Sequence, residues 1–343
     1  MSEPCDKALA QCTVAVVGAF GLVGREALSI LEKRGVPMER VRAFGSARSA
    51  GTAVPYGQGE LTIAELREGS LAGCDVALFC TDADTAKTHA PLAMAEGVRV
   101  VDNSSAYRLD PKTPLVVPEV NGHLLDNGPM LVANPNCSTI IMLLAVEPVR
   151  RALGVRSIIA STYQAVSGAG RAAVEELFEQ TRAALDGQPF KPSAFPVPCA
   201  FNVFPHESPV DQESGLNVEE AKVIAESRKI LGEPELDVSP TCVRVPVERC
   251  HSQSITLELE RPASLGAVAG LFGAFPGVAF NADRSILITP RDIAGTDLVS
   301  ISRARVSRDG MRLSLWACGD QLRKGAALNA VQIAERLASI PVA

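Results

Sequence analysis

The stretch "TVAVVGAFGLVGREALSIL" (13–31) constrains the fold of this chain more than any other. An apolar strand, "VAVV", runs into Gly18-x-x-Gly21-x-x-Gly24, and a helical pattern comes next, near 23–34. Glycine is required where a strand turns tightly into a helix and where the backbone must approach a phosphate, whose charge the helix N-terminus then stabilises. The first spacing is G-x-x-G, so the same glycines also suit a tight turn that binds nothing. Further along, the theme is repeated. "VRAFGS", "DVALFC", "RVVDNS" and "MLVAN" are short apolar runs, with a further helical stretch near 84–95. Short apolar strands separated by helices predict a parallel sheet covered on both faces, an α/β domain of Rossmann type.

From about residue 155 the texture changes. "RSIIASTYQAV", "PTCVRVPV", "SQSITLELE", "LVSISRARV" and "RLSLWACG" are longer and more alternating. They predict an α+β domain with a largely antiparallel sheet. Helices are expected near 138–152, 170–184, 218–231 and 322–338. The Pro-rich segment "PFKPSAFPVPCAFNVFPHESP" (189–209) predicts an irregular loop or arm. On spacing alone the last helix, in "DQLRKGAALNAVQIAERL", is free to pack on either domain.

Charge and composition act by exclusion. A net charge of -6 argues against a nucleic-acid or anionic-membrane surface, which needs an excess of Lys and Arg. "MSEPCDKALAQC" lacks the apolar core of a signal peptide, and no run is apolar for long enough to span a bilayer, so a cytoplasmic location is expected. The nine cysteines (Cys5, Cys12, Cys74, Cys80, Cys137, Cys199, Cys242, Cys250 and Cys318) include no C-x-x-C pair. Neither a disulfide framework nor a metal site is expected, and most of them read as reduced core residues.

One cysteine stands apart. Cys137 in "NPNCST" lies just ahead of the apolar run "IIMLLAV", where a helix N-terminus would favour its thiolate. It reads either as a small buried hydrophobe or as a nucleophile. The dipole is worth about 0.3–1 kcal/mol against roughly 1.4 per pKa unit, so a nucleophile there also needs a base. His251 in "RVPVERCHSQS" is the best placed of four histidines, because it follows a strand among polar residues; His89 and His123 read as surface or loop residues. At the end of the second strand, "GSARSAG" offers Ser46, Arg48 and Ser49 where an NAD site would place Asp or Glu. An arginine between hydroxyls suits the 2′-phosphate of NADP, and equally a solvated loop.

Taken in order, "VVGAFGLVG", "GSARSAG", "VDNSSAYR", "VVPEVN", "NPNCST", "YQAVSGAG", "CVRVPVERCHS" and "DQLRKGAALNAVQIAE" resemble aspartate-semialdehyde dehydrogenase over nearly the whole chain, and "NPNCST" resembles its active-site signature. The resemblance implies an NADP-binding domain over 1–134, completed by a C-terminal segment 321–343, and a catalytic and dimerisation domain over 135–320. It implies Cys137 as nucleophile, His251 as acid/base and Gln164 as the residue that orients the thioester. Arg108, Asn136 and Lys222 would hold phosphate, and Glu219 and Arg244 the substrate's amino and carboxylate groups. Gly18, Gly21, Leu22, Val23, Gly24, Ser46, Arg48, Ser49, Ser167, Gly168 and Asn329 would hold NADP. No metal is implied. The partners would be a small-molecule substrate and inorganic phosphate, in a homodimer or dimer of dimers serving lysine, threonine and methionine biosynthesis.

The residue chemistry agrees with these roles. Glu219 and Lys222 are i,i+3 on a predicted helix and share a face, and an arginine such as Arg244 grips a carboxylate bidentately. Their bland reading is a surface ion pair plus a strand arginine. The family usually has Thr where this chain has Phe20, which implies altered cofactor affinity. Three other readings stand beside this one. N-acetyl-glutamyl-phosphate reductase more typically has Gly and Tyr around its nucleophile. A non-catalytic NADP-binding paralogue leaves Cys137, Gln164, Arg244 and His251 without purpose. A cysteine hydrolase leaves the glycine loop unexplained.

Overall fold

The computed structural model describes residues 8–283 and 285–340 and divides into two compact units, one of residues up to Asn136 together with Ala326 onward, the other Cys137–Gly325. Cys5 and the last three residues of the C-terminal segment lie outside the described residues.

The first unit is built on β1 (Val14–Val17), β2 (Val41–Gly45), a hairpin of β3 (Ala53–Tyr56) and β4 (Gly59–Thr62), then β5 (Ala64–Glu65), β6 (Val76–Phe79), β7 (Arg99–Asp102) and β8 (Leu131–Ala133). Six of these strands form one parallel sheet in the order β5-β2-β1-β6-β7-β8. Every residue of β1, β6 and β7 is buried, as expected of strands covered on both faces. Alternate side chains of β1 enter different cores. Val14 and Val16 pack in a cluster with Leu28 and Leu31 of α1 (Leu22–Lys33), whereas Ala15 and Val17 pack with Ala86 and Ala90 of α2 (Ala83–Ala95). A short α3 (Pro118–Asn121) lies between β7 and β8 in the chain.

The second unit begins with α4 (Cys137–Leu153), in which Ser138 through Val149 are all buried. A helix apolar all round belongs in a core. Its C-terminal end is tied down by Glu147, which accepts hydrogen bonds from Arg150 Nε (2.7 Å) and Arg151 Nε (2.5 Å). Beyond it lies a seven-stranded sheet, made of β9 (Val155–Gln164), β10 (Phe204–Pro205), β11 (Asp237–Arg244), β12 (His251–Leu259), β13 (Val278–Phe280), β14 (Val299–Val306) and β15 (Arg312–Gly319). The order is β10-β11-β9-β12-β15-β14-β13, with β9–β11 and β13–β14 parallel and the other four pairings antiparallel. The helices are α5 (Arg171–Leu185), α6 (Val218–Leu231), α7 (Leu265–Ala274) and the short α8 (Pro290–Ile293). The Pro-rich segment is irregular except for β10, a two-residue edge strand in which Pro205 withholds no N–H from a central ladder.

The last helix, α9 (Leu328–Ala338), comes after a π-helical turn (Arg323–Ala327) and belongs to the first unit. Leu328, Val331, Ala334 and Leu337 join the cluster of Val14 and Val16. Arg99 Nη1 caps its end by donating to the carbonyls of Leu337 and Ile340.

Candidate active site

In the first unit the sheet order places β1 between β2 and β6, so the strand order reverses there. Ligands of open α/β sheets bind at the carboxyl ends of strands flanking such a point. Gly18 follows β1 at φ +83, and a Cβ there would lie 2.3 Å from Cys80 O. A Cβ on Gly24 would lie 2.2 Å from Gly18 O. Both glycines are therefore required by the turn itself. Gly21 is the N-cap of α1 and caps the helix start with no side chain, so the first-turn N–H groups of Leu22, Val23 and Gly24 have no cap acceptor from it. These features fit a dinucleotide pyrophosphate. Phe20 is 37% exposed, with the Arg25 guanidinium 4.9 Å from its ring centroid.

Arg48 is exposed beyond β2 and has no ion-pair partner among the described residues, and Ser49 Oγ donates to Ser46 O (3.1 Å). Thr81, just after β6, is a residue that no sequence signal singled out: its hydroxyl is buried without a hydrogen-bond partner at the same end of the sheet as Gly18. Asn329 has a different setting from the glycine loop. Its amide donates to Val116 O (2.9 Å) and Asn134 Oδ1 (2.7 Å), so it braces the segment that leads into Cys137. Arg108 braces the same segment, through Nε to Asn134 O (2.9 Å) and Nη2 to Asn103 O (2.7 Å). Asn136, the last residue of this unit's first segment, is buried.

In the second unit, strand register collects the other residues at one end of the sheet. Parallel pairing of β11 with β9 sets Arg244 beside Gln164, and antiparallel pairing of β12 with β9 sets Ser252 beside Tyr163, so His251 arrives at the same level. His251 follows β11 in the chain, as expected, and is itself the first residue of β12, where it is wholly buried. Two residues on, Gln253 donates to Ser138 O (2.8 Å) and so fixes the first turn of α4 to the face of the sheet that carries His251. The nucleophile candidate Cys137 is the first residue of that helix and is partly exposed. Gly325 packs behind it: a Cβ on Gly325 would lie 3.0 Å from Cys137 Cβ.

The seven other described cysteines are held back from ionising. Burial pushes up the thiols of Cys12 and Cys74, those of Cys199 and Cys318 to about 11, those of Cys80 and Cys242 to about 12, and that of Cys250 further still.

His251 accepts the Ala165 N–H at Nδ1 (3.0 Å), which places the proton of the neutral ring on Nε2. That Nε2 is buried and has no hydrogen-bond partner. Burial, then the Arg244 charge, pushes its pKa down to about 3, so the ring is neutral. Cys250 beside it adopts φ 75 and is held by donating its N–H to Gln321 Oε1 (2.7 Å), whose amide in turn donates to Ser167 Oγ. Gly168 leaves room for this ring, since a Cβ there would lie 3.3 Å from His251 Cε1 and 3.4 Å from Arg244 Nη1.

Both ends of the Gln164 amide are engaged: Oε1 accepts from Thr162 Oγ1 (3.0 Å) and Nε2 donates to Glu219 Oε1 (3.1 Å). Glu219 lies in the first turn of α6, whose start is a capping box of Asn217 and Glu220. Lys222 Nζ is 3.7 Å from Glu219 Oε2. Arg244 is buried and meets two residues that the sequence did not single out, His206 and Glu207. Their only local signal was an adjacent His and Glu inside a Pro-rich loop.

Comparison with known proteins decides the family. Residues 13–128 match the semialdehyde dehydrogenase NAD binding domain, and residues 146–324 match the semialdehyde dehydrogenase dimerisation domain. The chain is 43% identical to aspartate-semialdehyde dehydrogenase of Bacillus subtilis (strain 168) over 335 residues, covering 94% of this chain and 96% of that protein. It belongs to the aspartate-semialdehyde dehydrogenase family. The Aquifex aeolicus (strain VF5) member is likewise 43% identical, over 94% of this chain and 97% of its own. Among solved structures, aspartate semialdehyde dehydrogenase II of Vibrio cholerae complexed with ASA superposes with a TM-score of 0.91 at 36% identity, covering 95% of this chain and 98% of that one. The Rossmann-type unit and the mixed, mostly antiparallel sheet are thus those of this dehydrogenase family. Among the described residues no helix is long and apolar enough to cross a membrane, and no group of three or more His, Cys, Asp or Glu could hold a metal ion.

Proposed function

We propose that this chain interconverts L-aspartate-4-semialdehyde and L-aspartyl-4-phosphate, with NADP and inorganic phosphate, through a thioester on Cys137. The observation that carries this reading is the buried, unpartnered His251 Nε2, on the strand whose Gln253 holds the first turn of the Cys137 helix. The helix N-terminus favours the Cys137 thiolate, which attacks the aldehyde carbon; a C–S bond forms and negative charge moves to the oxygen. The resemblance implies an acid/base role for His251; with Nδ1 taken by the Ala165 N–H we assign it a different one, in which the neutral ring meets that oxygen with its Nε2–H as a hydrogen-bond donor and keeps its own proton. NADP, held by the glycine loop (Gly18, Gly21, Gly24) and by Ser46, Arg48 and Ser49, would supply the hydride acceptor that allows this carbon to reach the thioester level. Phosphate then attacks the thioester, a C–O bond forms, and the thiolate departs. Lys222, Arg108 and Asn136 are assigned to phosphate, Glu219 to the amino group, Arg244 to the carboxylate and Gln164 to orientation of the thioester. In biosynthesis the reaction runs in the reductive direction, in a cytoplasmic homodimer.

The test is NADPH formation from aspartate semialdehyde and phosphate, run beside N-acetylglutamate semialdehyde. A site that pairs its buried polar groups with an amino group and a carboxylate should prefer the former by roughly 10²-fold or more. Equal rates would remove the substrate assignment.

Preference for NADP rests on Arg48, an exposed cation without an acidic partner among the described residues, just beyond a strand that carries no Asp or Glu for ribose hydroxyls. Arg48→Ala should raise KM for NADP by about tenfold, the scale of one charge-assisted phosphate contact, and leave KM for NAD nearly unchanged. An equal effect on both cofactors would show that Arg48 faces solvent in the complex.

A further inference from the structure

Arg244, the residue assigned to the substrate's carboxylate, already holds a carboxylate of this chain. Its Nε donates to Glu207 Oε2 (3.2 Å) and its Nη2 to Glu207 Oε1 (2.6 Å), the two-pronged geometry that a bound carboxylate would use. Nη2 also meets His206 Nε2 (3.0 Å), and Nη1 donates to Ala165 O (3.0 Å). A guanidinium has five N–H donors, so one, on Nη1, is left. A second carboxylate cannot be gripped by two N–H groups unless a resident partner leaves.

We infer that Glu207 is a specificity-determining residue that competes with the substrate's carboxylate for Arg244. The inference rests on the proposed role of Arg244 in the reaction above. Which partner moves is decided by burial and anchoring. The Arg244 side chain is 3% exposed, lies 5.3 Å from the Phe195 ring centroid and donates to the buried Ala165 carbonyl just past β9, so it is held in place. The Glu207 side chain is 19% exposed, in the loop that leaves edge strand β10, and it has water within reach. His206 is better anchored, with its N–H on Cys242 O (2.9 Å) and its Nδ1 at Ser208 Oγ (3.2 Å). Because a guanidinium only donates, His206 faces it as a neutral acceptor, in keeping with a pKa lowered by burial and by the Arg244 charge. Burial would raise the Glu207 carboxyl, but its hydrogen bond and charge contact with Arg244 more than offset this, so Glu207 is ionised in the free site. An incoming carboxylate therefore meets an arginine whose charge is already balanced.

The consequence is a ceiling on carboxylate affinity, and with it fast exchange of carboxylate ligands. Succinate, a dicarboxylate without a reactive carbonyl, reads the subsite independently of turnover. Titration calorimetry of the full chain with succinate should give a Kd about tenfold lower for Glu207→Gln than for the unsubstituted chain, and lower again for Glu207→Ala, which empties the fork altogether. In steady-state assays the same variants should lower KM for aspartate semialdehyde more than they change KM for phosphate, and should bring no gain with an aldehyde that lacks a carboxylate. An unchanged or weaker succinate affinity in both variants, or none measurable in any of the three proteins, would overturn the competition and leave Glu207 as a brace for Arg244. Failure of the unsubstituted chain to use aspartate semialdehyde would instead strike at the functional reading, and the succinate series would still decide the role of Glu207.

Discussion

Cys137→Ser should lower kcat by about 10⁴-fold or more, the scale on which removal of a catalytic nucleophile acts. A serine hydroxyl is hardly ionised at neutral pH, and a helix dipole worth about 0.3–1 kcal/mol cannot ionise it. The substitution should leave the fold intact, because it exchanges one small side chain for another and Gln253 still holds the first turn of α4 through the Ser138 carbonyl. NADPH should therefore still bind, as judged by fluorescence titration, while turnover disappears. The same logic makes Cys137 the expected target of iodoacetamide at neutral pH, since burial pushes up the thiols of the seven other described cysteines. Substantial turnover in Cys137→Ser would exclude the thioester route.

The second large effect belongs to His251. His251→Ala should lower kcat/KM for the aldehyde by about 10²–10³-fold, the cost of removing one preorganised donor to a developing oxyanion. His251→Gln should recover much of that loss, because its amide offers an N–H near the place of Nε2–H although it has no useful basicity. A ring that acted by taking up a proton would be replaced equally badly by both. The pH profile of the unsubstituted chain provides a second readout. With the His251 pKa pushed down to about 3, the rate should show no limb near pH 6.5 from this ring.

Stability should respond differently. The unfolded chain binds a proton at His251 below about pH 6.5 and the folded chain does not, so the stability present above pH 6.5 is lost as the pH falls from there toward 3, at up to about 1.4 kcal/mol per pH unit. His251→Gln should flatten that acid limb in denaturant titrations. An unchanged limb would mean that His251 is protonated in the folded protein.

Much of this architecture was legible because its causes are local. The strand-glycine-helix stretch needs no partner to be recognised: a residue with a side chain at Gly18 would strike the Cys80 carbonyl, and one at Gly24 the Gly18 carbonyl. The apolar run "IIMLLAV" after Cys137 marked a helix near 138–152, where α4 lies, and a helix was likewise expected over 218–231, where α6 lies. The hairpin β3–β4 and helix α7 escaped because the strands of the former have only four residues each, too few for their alternation to stand out, and the latter is apolar without a polar face to give it a period.

By itself, then, the sequence determined the class of each unit, the glycine turn and the placement of a cysteine at a helix start, all of them written in residues that are neighbours along the chain. Only the tertiary structure decided the partners. On spacing, α9 was equally free to join either unit; burial of Leu328, Val331 and Leu337 beside Val14 and Val16 assigned it. The His251 proton is placed by the backbone N–H of Ala165, 86 residues away, and the Arg244 fork is closed by Glu207 from 37 residues away. These contacts depend on strand order and register, which set distant residues side by side while leaving no periodic trace in either segment.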